Sequence, residues 1–241
     1  MVSLRRIQKD WNEFGKTDPL WAVITADGRR GNKWDLDAFF ETGRTEIAQV
    51  MQTIDGLGVA VAKGRALDFG CGVGRLSRAL ADHFESVVGI DIAPSMIELA
   101  NQMSSVDGRC TYVLNDSNEL RMLPSDSFDL VYSNITLQHM PPRYSRRYFE
   151  EFLRVTRPEG LIVFELLRPP KSRYRRVRAI AGRVRHQLLN RPSMRAYWMT
   201  EQAVRRFFER RGATVFDEAT TYDDGHAERV RYCVAPRSVK R

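Results

Sequence analysis

From about residue 65 onward, apolar positions along this 241-residue chain alternate between two rhythms. Short continuous apolar runs suit strands buried on both faces, and the stretches between them repeat apolar residues at the i, i+3, i+4 spacing of a helix with one buried stripe. The runs predict strands over Arg65–Phe69, Ser86–Ile90, Cys110–Leu114, Phe128–Ser133 and Gly160–Leu166. The stripes predict helices over Arg75–Phe84, Pro94–Met103 and Tyr144–Thr156. Pro94 suits a first helical turn, where its missing N–H needs no partner. Regular strand–helix alternation implies a parallel sheet with helices on both faces. Further on, Thr200–Arg211 predicts a helix with Val204, Phe207 and Phe208 inward, stopped by Gly212. Ala213–Thr221 and Glu228–Ala235 then read as strands around a turn at Asp223-Asp224-Gly225.

The chain ahead of this alternation is less regular. Ser3–Phe14 predicts a helix with Trp11 and Phe14 on one side, followed by a turn at Thr17-Asp18-Pro19 and a loop from Gly28 to Asn32. Asp35–Glu41 predicts a short helix carrying Phe39 and Phe40. A separate helix runs from Thr45 to about Leu57, its stripe formed by Ile47, Val50, Met51 and Ile54 and its end marked by Gly56 and Gly58. Residues 1–43 are thus expected to form an amino-terminal helical cap. Residues 44–241 form the main domain, with an insert at 168–198.

Candidate chemistry concentrates where the first strand ends. Asp68-Phe69-Gly70-Cys71-Gly72-Val73-Gly74-Arg75 places an acid and three alternating glycines before a helix, and the second strand ends in Asp91. Glycines at a helix N-terminus let a ligand approach bare backbone N–H groups. A carboxylate ending the next strand can accept hydrogen bonds from both hydroxyls of a ribose. The dinucleotide fingerprint G-x-G-x-x-G requires a third glycine where this chain has Arg75. Asp68 would also repel a pyrophosphate. A cofactor with an ammonium and a sulfonium has the opposite need, so the acid argues for S-adenosylmethionine over NAD.

With these residues in view, the chain resembles the class I S-adenosylmethionine-dependent methyltransferases. The resemblance rests on D-F-G-C-G-V-G-R, V-V-G-I-D-I-A-P-S-M-I, F-D-L-V-Y-S-N-I-T-L-Q-H-M-P-P and L-R-V-T-R-P-E-G-L-I-V-F-E in that order. It is strongest to the small-molecule branch that includes ubiquinone and menaquinone biosynthesis enzymes, and it covers residues 60–166. The resemblance implies a Rossmann-like α/β sheet of seven strands, parallel except for an antiparallel carboxy-terminal hairpin strand, with helices on both faces and S-adenosylmethionine as cofactor. By position it implies that Asp68, Gly70, Cys71, Gly72, Gly74 and Arg75 face the methionine part. Asp91 takes the ribose, Ile92 and Met96 flank the adenosine, Asn115, Asp116 and Ser117 reach the adenine, whose exocyclic amine suits Asp116, and Asn134 lines the methionine moiety. The small size of Cys71 is a sufficient reason for its place in the loop.

Binding sites in open α/β sheets lie beyond the carboxyl ends of the strands, which places Gln138 and His139 on the loop facing an acceptor. His139 is the candidate general base, since an unperturbed imidazole titrates near neutrality. Its bland alternative is a role in orienting the loop. Trp34 and Phe40 are candidates for an aromatic lid over the acceptor, or for core residues docking the cap. Gly43 and Arg44 are placed near the cofactor carboxylate.

Composition narrows the field. Hydrophobic residues make up 43% of the chain, enough for a packed core, and no apolar run approaches the ~20 residues of a membrane span. The charged amino terminus lacks a signal core. Cys71, Cys110 and Cys233 are isolated, with no metal-binding spacing. A reduced, cytoplasmic protein without a metal site is expected. The net charge of +8 is concentrated between Arg168 and Arg195, where ten Lys and Arg occur with no acid. Val177, Ile180, Ala181, Val184, Leu188 and Leu189 give that insert an apolar stripe. A basic amphipathic helix suits contact with an anionic membrane surface or a polyanion, or it can pack as a solvated cap. The expected activity is methyl transfer, at oxygen, to a small-molecule or lipid-linked acceptor. The alternatives are an RNA methyltransferase using the Arg-rich insert and a non-catalytic cofactor-binding protein.

Overall fold

The structure, a computed structural model, describes residues 2–104, 108–170, 172, 181, 192–223 and 228–237. Seven strands form one sheet: β1 (Arg65–Phe69), β2 (Ser86–Asp91), β3 (Cys110–Leu114), β4 (Phe128–Ser133), β5 (Thr156–Leu167), β6 (Thr214–Asp223) and β7 (Glu228–Ala235). Their order is β3-β2-β1-β4-β5-β7-β6. The first five pair in parallel, and β7 enters antiparallel between β5 and β6. This is the Rossmann-like sheet with a closing antiparallel hairpin that the sequence implied. The turn expected at 223–225 lies mostly outside the described residues.

Side chains alternate between two cores. Leu67, Phe69, Val131, Ile162 and Phe164 face one side, and Ala66, Leu130, Tyr132, Leu161 and Val163 the other. On the first face pack α6 (Pro142–Val155), through Tyr148, Phe149 and Phe152, and α7 (Glu201–Glu209), through Val204 and Phe208. Burying each such phenylalanine contributes about 1.5–3 kcal/mol. The second face is covered by α3 (Leu36–Gly56) and α4 (Arg75–Leu80). The amino-terminal helices α1 (Leu4–Thr17) and α2 (Pro19–Val23) cover the carboxyl end of the sheet, and α1 docks on α5 (Pro94–Met103), which packs against β2 and β3.

Local signals explain most boundaries. Ser3 and Asp35 cap α1 and α3 with side-chain acceptors, and prolines open α2, α5 and α6. Three boundaries differ most from the sequence reading. The helices expected at 35–41 and from Thr45 are one continuous α3, so the boundary proposed at 43/44 falls inside a helix. Gly43 does not break it, because the glycine lets the helix pass close to α4: a Cβ there would stand 2.6 Å from the Arg75 carbonyl oxygen. β5 begins at Thr156 rather than Gly160, where Thr156 pairs with Phe128 across a register shift. α4 ends at Leu80, and residues 81–84 continue as turns hydrogen-bonded to Ser77, Ala79 and Leu80. Most of the basic insert lies outside the described residues. Its two ends are held by ion pairs of Arg168 with Glu201 and Glu228, and of Arg195 with Asp10. Among the described residues no helix is long and apolar enough to cross a membrane.

Candidate active site

The sheet order reverses between β1 and β4, and a cleft opens at the carboxyl ends of β1, β2 and β4, as this topology favours. Its free volume is about 80 Å³, so the roof lies close upon the floor. Its floor includes Phe69, Gly70, Gly72, Asp91 and Asn134. Its roof is the amino-terminal segment: Leu4, Ile7 and Trp11 from α1, and Ala22 and Val23 from α2. Gln8 Nε2 donates to the Ile92 carbonyl at 3.1 Å, and Asn12 both accepts from the Ser95 N–H and receives the Ser95 hydroxyl on its carbonyl, so α1 is tied down onto the start of α5.

The glycine loop does something other than offer free donors. The N–H groups of Gly70 and Cys71 both donate to the Ile90 carbonyl, that of Gly74 to Cys71, and that of Gly72 to Asp91 Oδ2 at 3.0 Å. The expected row of bare amides is therefore largely used within the protein. The glycines are needed for left-handed backbone and close approach. Gly70 has φ of 82°, and a Cβ on it would fall 2.1 Å from Thr136 Oγ1. Next to Thr136, Ile135 adopts φ of 56°, a conformation that costs a β-branched residue about 1–3 kcal/mol and that clusters at functional sites. Thr136 helps hold this strained turn by donating to the Asn134 carbonyl at 3.0 Å.

Asp91 lines the cleft at the end of β2. One carboxylate oxygen accepts from Gly72 and the other from the Ala93 N–H at 2.8 Å, leaving lone pairs on both. Burial raises its pKa, opposed by these backbone hydrogen bonds. Ile92 and Met96 line the cleft beside it. Asp68 does not reach the cleft. It is fully buried in the sheet beneath the loop, with Oδ2 accepting from Ser77 Oγ at 2.6 Å and Oδ1 without a partner among the described residues. Burial pushes its carboxyl up to about 7, against the lowering effect of the Ser77 bond. Any influence on a bound cation is through space.

Several other assignments move. Arg75 turns away from the cleft: it pairs with Glu46 Oε2 at 2.7 Å and donates to Thr42 Oγ1 at 3.3 Å, because a buried guanidinium must find acceptors and α3 supplies them. Glu46 in turn accepts from the Tyr132 hydroxyl at 2.7 Å and from Asn134 Nδ2 at 2.5 Å. Burial opposes its ionisation, but Arg75 and the hydrogen bonds from Asn134 and Tyr132 hold its pKa below the usual value. The sequence reading missed Glu46, which orients Asn134 within the cleft. Cys71 and Gly74 support the loop from behind, Cys71 with a thiol that burial pushes far above the ordinary range. Asn115, rather than Asp116 or Ser117, lines the cleft from β3. Ser117 is engaged with Asn115 and Glu119, and Tyr148, also at the cleft wall, donates to the Ser117 carbonyl at 2.6 Å. Trp34 and Phe40 lie outside the lining, packed with Phe39 in the cap core. Arg44 is exposed and pairs with Glu41.

His139 does line the cleft, on a 3-10 turn, Leu137–His139. Its Nδ1 lies 2.8 Å from the Arg195 carbonyl oxygen. A carbonyl only accepts, so Nδ1 carries the proton and Nε2 keeps its lone pair. Desolvation pushes the imidazole down to about 4, against the raising effect of the Arg195 carbonyl. Gln138 Nε2, at 3.4 Å, and the Trp11 ring, whose centroid is 5.0 Å away, complete its surroundings. Gln138 itself is set behind His139 and is not in the lining. Among the described residues no group of His, Cys, Asp and Glu is placed to hold a metal.

Residues 67–164 match the family described as "Methyltransferase domain". A 2-methyl-6-phytyl-1,4-hydroquinone methyltransferase of Synechocystis is 29% identical over 162 residues, covering 67% of this chain and 50% of that protein. A malonyl-[acyl-carrier protein] O-methyltransferase of Yersinia pestis is 32% identical over 148 residues, covering 61% and 50%. The chain thus spans about half the length of these curated relatives. The crystal structure of magnesium protoporphyrin IX methyltransferase from Synechocystis with bound S-adenosylmethionine superposes with a TM-score of 0.67 at 18% identity, over 99% of this chain and 98% of that one, and shares its fold. Residues 67–164 thus match a methyltransferase domain, and the sheet as a whole shares the fold of a solved methyltransferase.

Proposed function

We propose that this protein moves a methyl group from S-adenosylmethionine to an oxygen of a small-molecule or lipid-linked acceptor. The observation that carries the reading is one cleft holding the Gly70–Gly72 backbone and the Asp91 carboxylate on its floor and, on its wall, an imidazole whose unprotonated Nε2 is met by the Gln138 amide. The residues fit an adenosyl cofactor. Asp91 has acceptor capacity for a ribose, Asn115 and Tyr148 offer polar atoms for a base, and Asn134 presents an Oδ1 without a partner among the described residues. S-adenosylmethionine supplies an electrophilic methyl on a sulfonium. The chain's own part is alignment and water exclusion, which account for much of the rate in an in-line displacement. Residues 1–43, as part of the cleft's roof, act as a cap in this reading. Calorimetric titration with S-adenosylhomocysteine and with NAD tests the cofactor. Labelled S-adenosylmethionine incubated with lipid, small-molecule and RNA pools of a cell extract tests the acceptor.

His139 accepts the acceptor's proton on Nε2, while the Arg195 carbonyl holds the ring in that tautomer. His139→Ala is expected to lower turnover about 10²–10⁴-fold, the usual worth of a positioned base, and to leave S-adenosylhomocysteine affinity within about threefold. At saturating cofactor the wild-type rate should stay level as pH is lowered to about 5, then fall as protonation removes the lone pair near the imidazole's pKa of about 4. A rate that instead halves near pH 6.5 would show that the imidazole is hydrated during turnover rather than enclosed.

A further inference from the structure

Arg195 is 4% exposed, and its guanidinium is only half used. Nη1 pairs with Asp10 Oδ2 on α1, while Nε and Nη2 are buried and have no hydrogen-bond partner among the described residues. Leaving a buried donor unsatisfied costs about 1–3 kcal/mol, so a pair of them in one side chain calls for an explanation. The two idle atoms share one edge of the guanidinium. Their N–H bonds on that edge run parallel, at the spacing of the two oxygens of a carboxylate.

The Arg195 backbone stands beside the candidate base, and its side chain runs from there to Asp10 on α1, behind the residues that line the cleft. The Arg195 carbonyl accepts from His139, and two residues on, the Tyr197 N–H donates to the Gln138 carbonyl at 2.7 Å. Trp198 bridges to Leu167 at the end of β5. The segment is therefore pinned to the cleft's rim. Asp10, the residue that neutralises Arg195, precedes Trp11, which lines the cleft and packs against His139. The same Asp10 also pairs with Arg6 at 2.9 Å, so its charge is divided between two arginines.

We infer that the acceptor carries a carboxylate and that Arg195 grips it through the Nε–Nη2 edge, anchoring the acceptor next to His139. This rests on the methyl-transfer reading and names the substrate class of that same cleft. The carboxylate is an anchor; the atom that receives the methyl group lies elsewhere on the acceptor. α1 roofs the cleft and carries Asp10, so the acceptor docks while α1 is displaced and is enclosed when α1 returns. A low-basicity imidazole suits such an enclosed site, where it stays unprotonated beside a bound anion.

The test uses the whole chain, labelled S-adenosylmethionine and a cell extract separated by anion exchange into acidic and neutral pools. Wild-type protein should label the acidic pool. Arg195→Lys keeps a cation opposite Asp10 but cannot present two parallel N–H bonds. It should raise the KM for the labelled acceptor about 10–100-fold with kcat within about threefold, the signature of lost uniform binding. Converting that acceptor's carboxylate to its amide should cost wild type the same factor and cost Arg195→Lys nothing more. Label in the neutral pool, an unchanged KM, or a loss confined to kcat would overturn the assignment, the last because it would mean that Arg195 acts only through His139. S-adenosylhomocysteine titration of both proteins separates the two levels. Binding by the wild type with label in a neutral product leaves methyl transfer standing and removes Arg195's role. Absence of binding by the wild type removes the methyl-transfer reading itself. Should Arg195→Lys not bind S-adenosylhomocysteine, the carboxylate-to-amide comparison on wild type decides alone.

Discussion

Asp91→Ala is expected to abolish measurable cofactor binding, with S-adenosylhomocysteine affinity falling at least about 100-fold in calorimetry, since each hydrogen bond to a charged group is worth about 1.5–3 kcal/mol and a ribose offers two. The carboxylate has a double role. Through Gly72 and Ala93 it fixes the glycine loop against the start of α5, and its remaining lone pairs face the cleft. Asp91→Asn separates these roles. It keeps the shape but turns one end of the side chain into a donor pointed at a backbone N–H, so it should lose most of the affinity while the chain stays folded. A dissociation constant within threefold of wild type in both variants would show that the ribose site lies elsewhere.

Glu46→Ala is expected to have the largest effect on stability, about 3–5 kcal/mol in urea unfolding, because removing one member of a buried ion pair leaves the other charge uncompensated. Arg75 is 3% exposed and its guanidinium reaches only Glu46 and Thr42 among the described residues. The loss extends further, since the Tyr132 hydroxyl and the Asn134 amide also end on Glu46. Combining Glu46→Ala with Arg75→Met should recover a large part of the loss, as an apolar side chain removes the stranded charge. A single-variant cost below about 1 kcal/mol would show that the pair is not buried in solution. Cofactor affinity should fall in step, because Asn134 loses the contact that orients it.

The central sheet was legible because most of its strands are buried on both faces and read as short, mainly apolar runs. β4, with every residue buried, is the clearest case. Boundaries were less legible where local and tertiary signals disagree. Gly43 looks like a break between two helices, yet contact with the Arg75 backbone demands a residue without a Cβ in the middle of one helix. Asp91, Gly70 and Gly72 could be placed because strand ends and helix starts are local features. Asn115 was displaced by its neighbour Asp116, since a charged residue at the same strand end looks the better acceptor until burial is known.

The sequence by itself determined the alternating architecture, the loop that must take left-handed backbone and the acid that ends β2, because each of these is set by residues adjacent in the chain. Only the tertiary structure decided which polar side chains face the cleft. Asp68 sinks beneath the loop towards Ser77, Arg75 turns to Glu46, and α1 comes from the far amino terminus to roof the site and to meet Arg195 through Asp10. A buried charge goes wherever a partner can be supplied, and the residues that supply it stand 29 positions apart for Arg75 and Glu46 and 185 for Asp10 and Arg195, separations over which no local pattern carries information.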